Sequence, residues 1–286
     1  MGNTHWSGPL LAGGGFADEG PISALDSNSN YKVTHESFLE DIADIAAMET
    51  VGWAEAAINT PTAATIVASP ETGYLLLNPG TKADAGTSIQ RNLAPTAARV
   101  PSSHNILGPM TSTATLMDNR ELFFETRIGV SGTTAAWDAK AIFGWIVTDT
   151  AMLTGATGVA ALATGGGIGF HIGEDGVLSY FTQSAAVGTY SATASTVNIL
   201  ALTTAATFQW YTLGFRARWV DASAGTGNVK FYINGNLAGT HTDNMPMTST
   251  EVYSVSYECS NGPARDVDAA VDYVTVGISR PGHTIP

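Results

Sequence analysis

From residue 120 onward, apolar and polar residues alternate one by one, and turn signals interrupt the alternation at regular spacing. In Glu121-Leu-Phe-Phe-Glu-Thr-Arg-Ile-Gly-Val130, Leu122, Phe124, Thr126, Ile128 and Val130 share one face of an extended chain. Glu121, Phe123, Glu125 and Arg127 share the other. A period of two does not fit a helix, whose apolar stripe repeats every 3.6 residues. Phe208–Val220 repeats the pattern, with Leu213, Phe215, Ala217 and Trp219 on one side. Further strands are expected over Ala64–Val67, Gly73–Leu77, Ser88–Leu93, Ala141–Thr148, Gly167–Ile172, Val177–Gln183, Asn228–Ile233, Asn236–Thr242, Glu251–Cys259 and Val267–Ile278. Gly173-Glu-Asp-Gly176 and Asn234-Gly235 are hairpin signals, the latter the strongest short-range one. Roughly a dozen alternating strands with short turns imply one buried and one exposed face per sheet, hence an antiparallel β-sandwich.

The first part of the chain reads differently. Residues 1–33 hold Gly13-Gly14-Gly15, Gly8-Pro9, Gly20-Pro21 and Asp26-Ser-Asn-Ser-Asn30, a composition that builds no core of its own. Trp6, Leu10, Leu11, Phe16 and Ile22 are interspersed, so the segment is expected to be an extended arm that docks on another surface. These five are the candidate assembly contacts. Thr34–Thr50 is the one helical candidate: Thr34 can cap it, and Phe38, Leu39, Ile42, Ile45 and Met48 follow the helical period. The organisation expected is an arm over 1–33 and a sandwich over 34–286, best supported over 120–280. Residues 79–117, with four prolines, read as a long irregular connection.

Charge and cysteine content narrow the function. The 286 residues carry a formal net charge of −13, which argues against nucleic acid and against anionic membrane surfaces. Charged residues are only 13% of the chain, a surface suited to packing against neighbours. One cysteine, Cys259, permits no internal disulfide; sharing a strand face with Val255 and Tyr257, it reads as a buried structural thiol. The N-terminus has neither the basic nor the apolar region of a signal peptide, and no stretch reaches the length of a membrane span. The expectation is a protein made in the cytoplasm that either stays there or leaves inside something larger.

The run Trp210-Tyr-Thr-Leu-Gly-Phe-Arg-Ala-Arg-Trp-Val-Asp221, followed by Gly227-Asn-Val-Lys-Phe-Tyr-Ile-Asn-Gly-Asn-Leu-Ala-Gly239, resembles the concanavalin A-like lectin/glucanase superfamily, which includes laminin-G-like modules. The Glu121–Val130 and Val271–Val276 strands resemble two others of that pattern. The resemblance covers about residues 120–280 and implies a jelly-roll sandwich more than it implies any one function. Within the superfamily the composition is similar to that of phage structural proteins.

Catalysis has weak support in the residues. The glucanase branch of the superfamily carries a Glu-x-Asp-x-x-Glu strand, which is absent. Glu121 and Glu125 lie four residues apart on one strand face, roughly 13 Å. A retaining carboxylate pair stands about 5 Å apart and an inverting pair at most about 9.5 Å. A charge pairing of Glu125 with Arg127 fits better. The six histidines have no zinc-binding spacing, His171 and His241 reading as structural or surface residues, and Gly165-Gly-Gly-Ile-Gly169 is not followed by a helix that could cradle phosphate. The expectation is therefore a chain that is not an enzyme and needs no cofactor.

The resemblance leaves room for a loop-bound Ca²⁺ at Asp138, Asp149, Glu174, Asp175 or Asp243, although these form no recognisable array. It also leaves room for aromatics that stack on sugars, for which Trp137, Trp145, Tyr180 and Tyr190 are the candidates, with Trp210 beside them. The leading expectation is a virion protein that decorates or cements the capsid surface, with the major capsid protein as partner and a homo-oligomer, threefold by preference. The alternative is a carbohydrate-binding receptor-recognition protein of a phage fibre. A glycan hydrolase comes third.

Overall fold

The computed structural model describes residues 31–37, 53–58, 65–67, 73–79, 85–91, 110–111, 121–132, 139–147, 152–154, 161–162, 165–173, 176–184, 189–198, 208–221, 225–242, 244–246, 252–261 and 267–279. Among them are eighteen strands and no helix. In chain order they are β1 (Tyr31–Ser37), β2 (Ala54–Ile58), β3 (Thr65–Val67), β4 (Tyr74–Leu77), β5 (Gly86–Gln90), β6 (Met110–Thr111), β7 (Glu121–Gly132), β8 (Ala139–Val147) and β9 (Leu153–Thr154). Then follow β10 (Ala161–Leu162), β11 (Gly167–Ile172), β12 (Val177–Ser184), β13 (Thr189–Asn198), β14 (Gln209–Asp221), β15 (Thr226–Ile233), β16 (Asn236–His241), β17 (Val252–Asn261) and β18 (Val267–Ser279).

The molecule is an antiparallel β-sandwich of two sheets, the all-β architecture that the alternation implied. The first sheet runs β16-β15-β14-β7-β18-β4-β3, with β1 also on β18. The second runs β13-β12-β11-β8-β17-β5-β2, with β6 also on β17. A small β9–β10 pair stands apart from both. The inward faces are those read from alternation: Leu122, Phe124, Ile128 and Val130 of β7 and Leu213, Phe215, Ala217 and Trp219 of β14 all lie in the main core. Aromatic pairs tie the layers together. Trp145 stacks on Tyr253 at 4.5 Å and meets Trp219 of the other sheet edge-on at 6.0 Å. Tyr180 stacks on Phe231 across the same gap at 4.7 Å. Each buried ring of this size contributes roughly 1.5–3 kcal/mol by leaving water. Some interior polar groups are paired, Thr126 Oγ1 lying 3.0 Å from the Tyr257 hydroxyl and donating to the Tyr273 carbonyl at 2.7 Å, whereas the indole N–H groups of Trp145 and Trp219 are buried without a hydrogen-bond partner.

At the Asn234-Gly235 hairpin both residues have positive φ, 50° and 78°, as the tight turn between β15 and β16 requires.

Two expectations are corrected. Thr34–Ser37, expected to open a helix, continue β1, which pairs with β18 from Tyr31↔Ser279 to Ser37↔Tyr273. The local capping signal loses to a seven-residue ladder that sequence-local reasoning does not see. The same ladder brings residues 31–33, assigned to the arm, into the sandwich; residues 1–30 and 38–50 lie outside the described residues. The second correction concerns exposure. Alternation implied a wet outer face, yet Glu121, Phe123, Glu125, Tyr273 and Thr275 on the outer side of the first sheet are buried, as are Ser88, Gln90, Ser254, Ser256 and Glu258 on the outer side of the second.

Candidate functional site

The outer face of the first sheet carries its charges in pairs. The Arg216 guanidinium of β14 grips both carboxylate oxygens of Glu121 on neighbouring β7, with Nη2 donating to Oε2 at 3.0 Å. Four residues along, the Tyr273 hydroxyl donates to Glu125 Oε1 at 2.9 Å. Burial raises the Glu125 carboxyl to about 7, since desolvation outweighs the tyrosine's stabilisation of the anion. The same burial, with the neighbouring Glu125 carboxylate, pushes the Tyr273 phenol up. Two residues further, Arg127 Nη1 donates to Asp272 Oδ2 at 2.7 Å. The expected Glu125–Arg127 pairing is thus replaced: each takes its partner from β18, across the ladder rather than along the strand. Asp272 reaches Arg127 because a register irregularity between Val271 and Tyr273 inserts it opposite β7.

Beside this ion pair the face becomes aromatic and opens to solvent. Trp210 pairs across the ladder with Gly129. A Cβ on Gly129 would lie 3.0 Å from Phe208 Cβ and 3.1 Å from Trp210 Cε3, so the glycine leaves the room that both aromatic side chains use. Tyr74 meets Phe208 at 5.2 Å and Trp210 at 5.7 Å, both edge-on. The Arg127 guanidinium lies over the indole, 4.8 Å from its centroid. Tyr74, Phe208, Trp210 and Tyr211 are all half-buried, and the Arg127 side chain is 41% exposed. The hairpin tip steadies this end: Asn234 Oδ1 accepts from the Thr212 amide at 2.9 Å, while the Asn234 amide donates to the Thr212 carbonyl at 2.7 Å.

The outer face of the second sheet is a floor of small polar residues. Ser179, His171, Ile142, Glu258 and Ser88 stand in one row across β12, β11, β8, β17 and β5. The next row contains the facing glycines Gly169 and Gly144, then Ser256 and Gln90. A strap crosses this floor: Met152, Leu153 and Leu162 pack on Ile142, Ile146 and Phe181. Sheet side chains satisfy the strap's backbone. Glu258 Oε2 accepts from the Met152 amide at 2.6 Å, and Gln183 Oε1 from the Leu162 amide at 3.3 Å. Gln90 Nε2 donates to Ser256 Oγ at 2.9 Å and reaches Met152 Sδ at 3.3 Å.

The structure scatters the stacking candidates read from sequence. Trp145 and Tyr180 are core residues, 1% and 5% exposed, and offer no surface to a sugar. Tyr190 lies in β13 opposite Gln183. Trp137 lies outside the described residues, as do the arm contacts Trp6, Leu10, Leu11, Phe16 and Ile22 and the carboxylates Asp138, Asp149, Glu174, Asp175 and Asp243. Cys259 is fully buried, and burial pushes its thiol up, as a structural cysteine would show. His171 is buried; His241 is buried too, its ring nitrogens 3.1 Å from Thr182 Oγ1 and 2.9 Å from Thr193 Oγ1. Among the inspected aromatics whose side chains are described, Trp210 alone sits on an open face. Its companions Tyr74, Phe208 and Asp272 were missed. The one local signal was Gly129, a glycine on the outward side of an otherwise large-residue strand.

No known family profile matches the chain, and no curated protein matches it in sequence. Solved structures do resemble it. The potassium-bound carbohydrate recognition domain of Emp46p is 8% identical, with a TM-score of 0.47 over 84% of this chain and 94% of that one. The endo-1,3-β-glucanase of Streptomyces sioyaensis is 14% identical, with a TM-score of 0.48 over 88% and 98%. A carbohydrate esterase of the Shiga toxin-encoding bacteriophage phi24B is 17% identical, with a TM-score of 0.45 over 86% and 100%. These neighbours overturn the expectation of a chain that is not an enzyme. Glucanases, another glycosidic hydrolase and an esterase stand among them, and a fold by itself fixes no function. The separation of Glu121 from Glu125 disfavours only that pair.

Proposed function

We propose that the chain recognises carbohydrate on the outer face of its first sheet, at the end formed by Tyr74, Phe208, Trp210, Arg127 and Asp272. The observation that supports this reading is the half-exposed aromatic cluster with a paired guanidinium and carboxylate at its side. A sugar presents apolar C–H faces and a rim of hydroxyls; ring surfaces take the first, and planar charged groups take the second. The capsid-decoration reading rests on the arm, and no observation on the described residues favours it over its carbohydrate-binding alternative.

A glycan array followed by calorimetry tests the proposal. Wild type is expected to bind a defined set of glycans, and Trp210→Ala and Tyr74→Ala to weaken binding at least about tenfold with unchanged circular dichroism. A silent array, or a Trp210→Ala variant that binds as wild type does, overturns it. Release of reducing ends from the bound glycans, measured in the same samples, separates recognition alone from recognition with cleavage.

A further inference from the structure

Glu125 and Arg127 share the outer face of β7, roughly 7 Å apart along the strand, yet each is held elsewhere. Arg127 is held at one point, by Asp272, with its guanidinium over the Trp210 indole. Glu125 is 2% exposed. Among the described residues its one hydrogen bond comes from the Tyr273 hydroxyl, which Thr212 also engages. A carboxyl so enclosed favours its neutral form, and burial raises it to about 7. Once ionised, it needs a cation. Two stand near it on this face. Arg216, opposite Phe123 on β14, is gripped at both carboxylate oxygens by the enclosed Glu121. Arg127 has a single contact in an ion pair whose side chains are 41% and 14% exposed, where water screens the attraction. Arg127 is therefore the one that can be drawn away. Two further titratable or charged residues stand near by register. Arg218 lies opposite Glu121, and His35 of β1 lies opposite Thr275, itself opposite Glu125.

We propose that Glu125 regulates the open aromatic site by competing with Asp272 for Arg127. The proposal rests on the carbohydrate reading given above. With Glu125 neutral, Arg127 stays on Asp272 and over the indole. With Glu125 ionised, the guanidinium turns along β7 toward it and leaves the indole. Asp272 then faces the cluster without its cation. The register irregularity at Asp272 suits such an exchange, because an inserted residue is re-aimed out of the regular ladder. A bound glycan and a neutral Glu125 favour the same arrangement, so each strengthens the other. The sign follows. The complex holds the proton more tightly than the free chain does. Affinity is full below about pH 7 and falls as pH rises through that value.

Calorimetry of the full chain with a glycan chosen from the array tests this. Between about pH 6 and about pH 8 the wild-type affinity is expected to fall at least about fivefold. Glu125→Gln cannot ionise and is expected to bind as wild type does at the acid end, and to stay flat above it. His35→Gln is expected to keep the wild-type fall. Two readouts need no variant. Binding measured near neutrality in buffers of different ionisation enthalpy is expected to show proton uptake. The Arg127 Nε–H resonance of the glycan-free chain is expected to shift with a midpoint near 7. A fall that persists in Glu125→Gln or vanishes in His35→Gln overturns the proposal, as does an Arg127 resonance that ignores pH. Glycan binding that is the same at every pH overturns this proposal alone, whereas a chain that binds no glycan at any pH overturns the carbohydrate reading and this proposal with it.

Discussion

The two outer faces of the sandwich solve one problem in opposite ways. Both bury polar groups that need partners. On the first sheet the partners are side chains of neighbouring strands: Glu121 with Arg216, Glu125 with Tyr273, Arg127 with Asp272. On the second they include two backbone amides of a strap, held by Glu258 and Gln183, beside short polar pairs within the sheet such as Gln90 with Ser256. The first solution leaves ionisable groups coupled to one another and one end open, so that face should respond to pH and salt. The second neutralises the floor with a fixed cover, so that face should respond to whatever moves the cover. Inward alternation says nothing about this difference; it is set by what the opposite parity contacts.

The largest expected effect lies on the second face. Gly169 and Gly144 stand opposite each other, and a Cβ on Gly169 would press into the Phe143 carbonyl and come within 2.9 Å of Gly144 Cα. Backbone cannot swing away as a flexible side chain can. Gly169→Ala should therefore cost about 3 kcal/mol or more, read by denaturant titration. A loss under about 1 kcal/mol would mean that β8 and β11 tolerate separation, and that the closeness of this face is not a constraint.

The next effect is specific to the first face and carries a sign. Glu125 titrates near 7 in the folded chain, above the ordinary carboxyl value of 4.5. Its folded-state pKa is raised, so its contribution is fully present below about pH 4.5 and is lost as pH rises to about 7. The loss over that window is on the order of 3 kcal/mol. Glu125→Gln keeps an acceptor for the Tyr273 hydroxyl and never ionises. It should flatten this part of the stability profile and leave the variant more stable than wild type above pH 7. Equal slopes for the two proteins would show that Glu125 is solvated, and that the contrast between the faces is overstated there.

How much of this could be read beforehand follows from which forces are local. The inward parity of β7 and β14 and the Asn234-Gly235 turn were legible because period-two patterning and positive-φ chemistry act within a few residues. The outward position of Trp210 followed from the same parity. β1 was not legible, because its ladder partner β18 lies more than 200 residues away in sequence. The strap was not legible either: β9 and β10 are two-residue strands in an alanine-, threonine- and glycine-rich stretch without alternation. Trp145 was misjudged although parity with Ala141 and Phe143 places it inside. The site suffered most, since Tyr74 and Asp272 reach Trp210 and Arg127 only through strand pairings no local pattern encodes; Phe208, two residues before Trp210 and in contact with it at 5.7 Å, was within reach of local parity.

Loosening the strap gives a smaller, more local effect. Glu258→Ala removes the acceptor of the Met152 amide, a buried bond to a carboxylate, and should cost about 2 kcal/mol. Hydrogen exchange at the Met152 and Leu162 amides should accelerate well beyond that at Phe143 and Tyr257. Uniform acceleration across the sheet would show instead that strap and sheet open together, and the second face would be one cooperative unit rather than a floor with a cover.

The smallest effect sets two ion pairs of the first face against each other. Arg127–Asp272 is short, 2.7 Å, but its side chains are 41% and 14% exposed. Arg216–Glu121 grips at two points and is more enclosed, its side chains 24% and 4% exposed. Water screens the first pair and leaves the second largely unscreened. Asp272→Asn should therefore change stability by less than about 1 kcal/mol, and Glu121→Gln by visibly more, since it leaves a guanidinium without its fork partner. In the proposed recognition role the ranking reverses: Asp272 borders the open aromatic cluster and Glu121 does not, so Asp272→Asn should weaken glycan binding while Glu121→Gln spares it. Paired unfolding and binding curves for the two variants read both quantities at once. If the same variant were the worse in both, the open end would have no recognition role separate from the stability of the sheet, and the first face would serve structure alone.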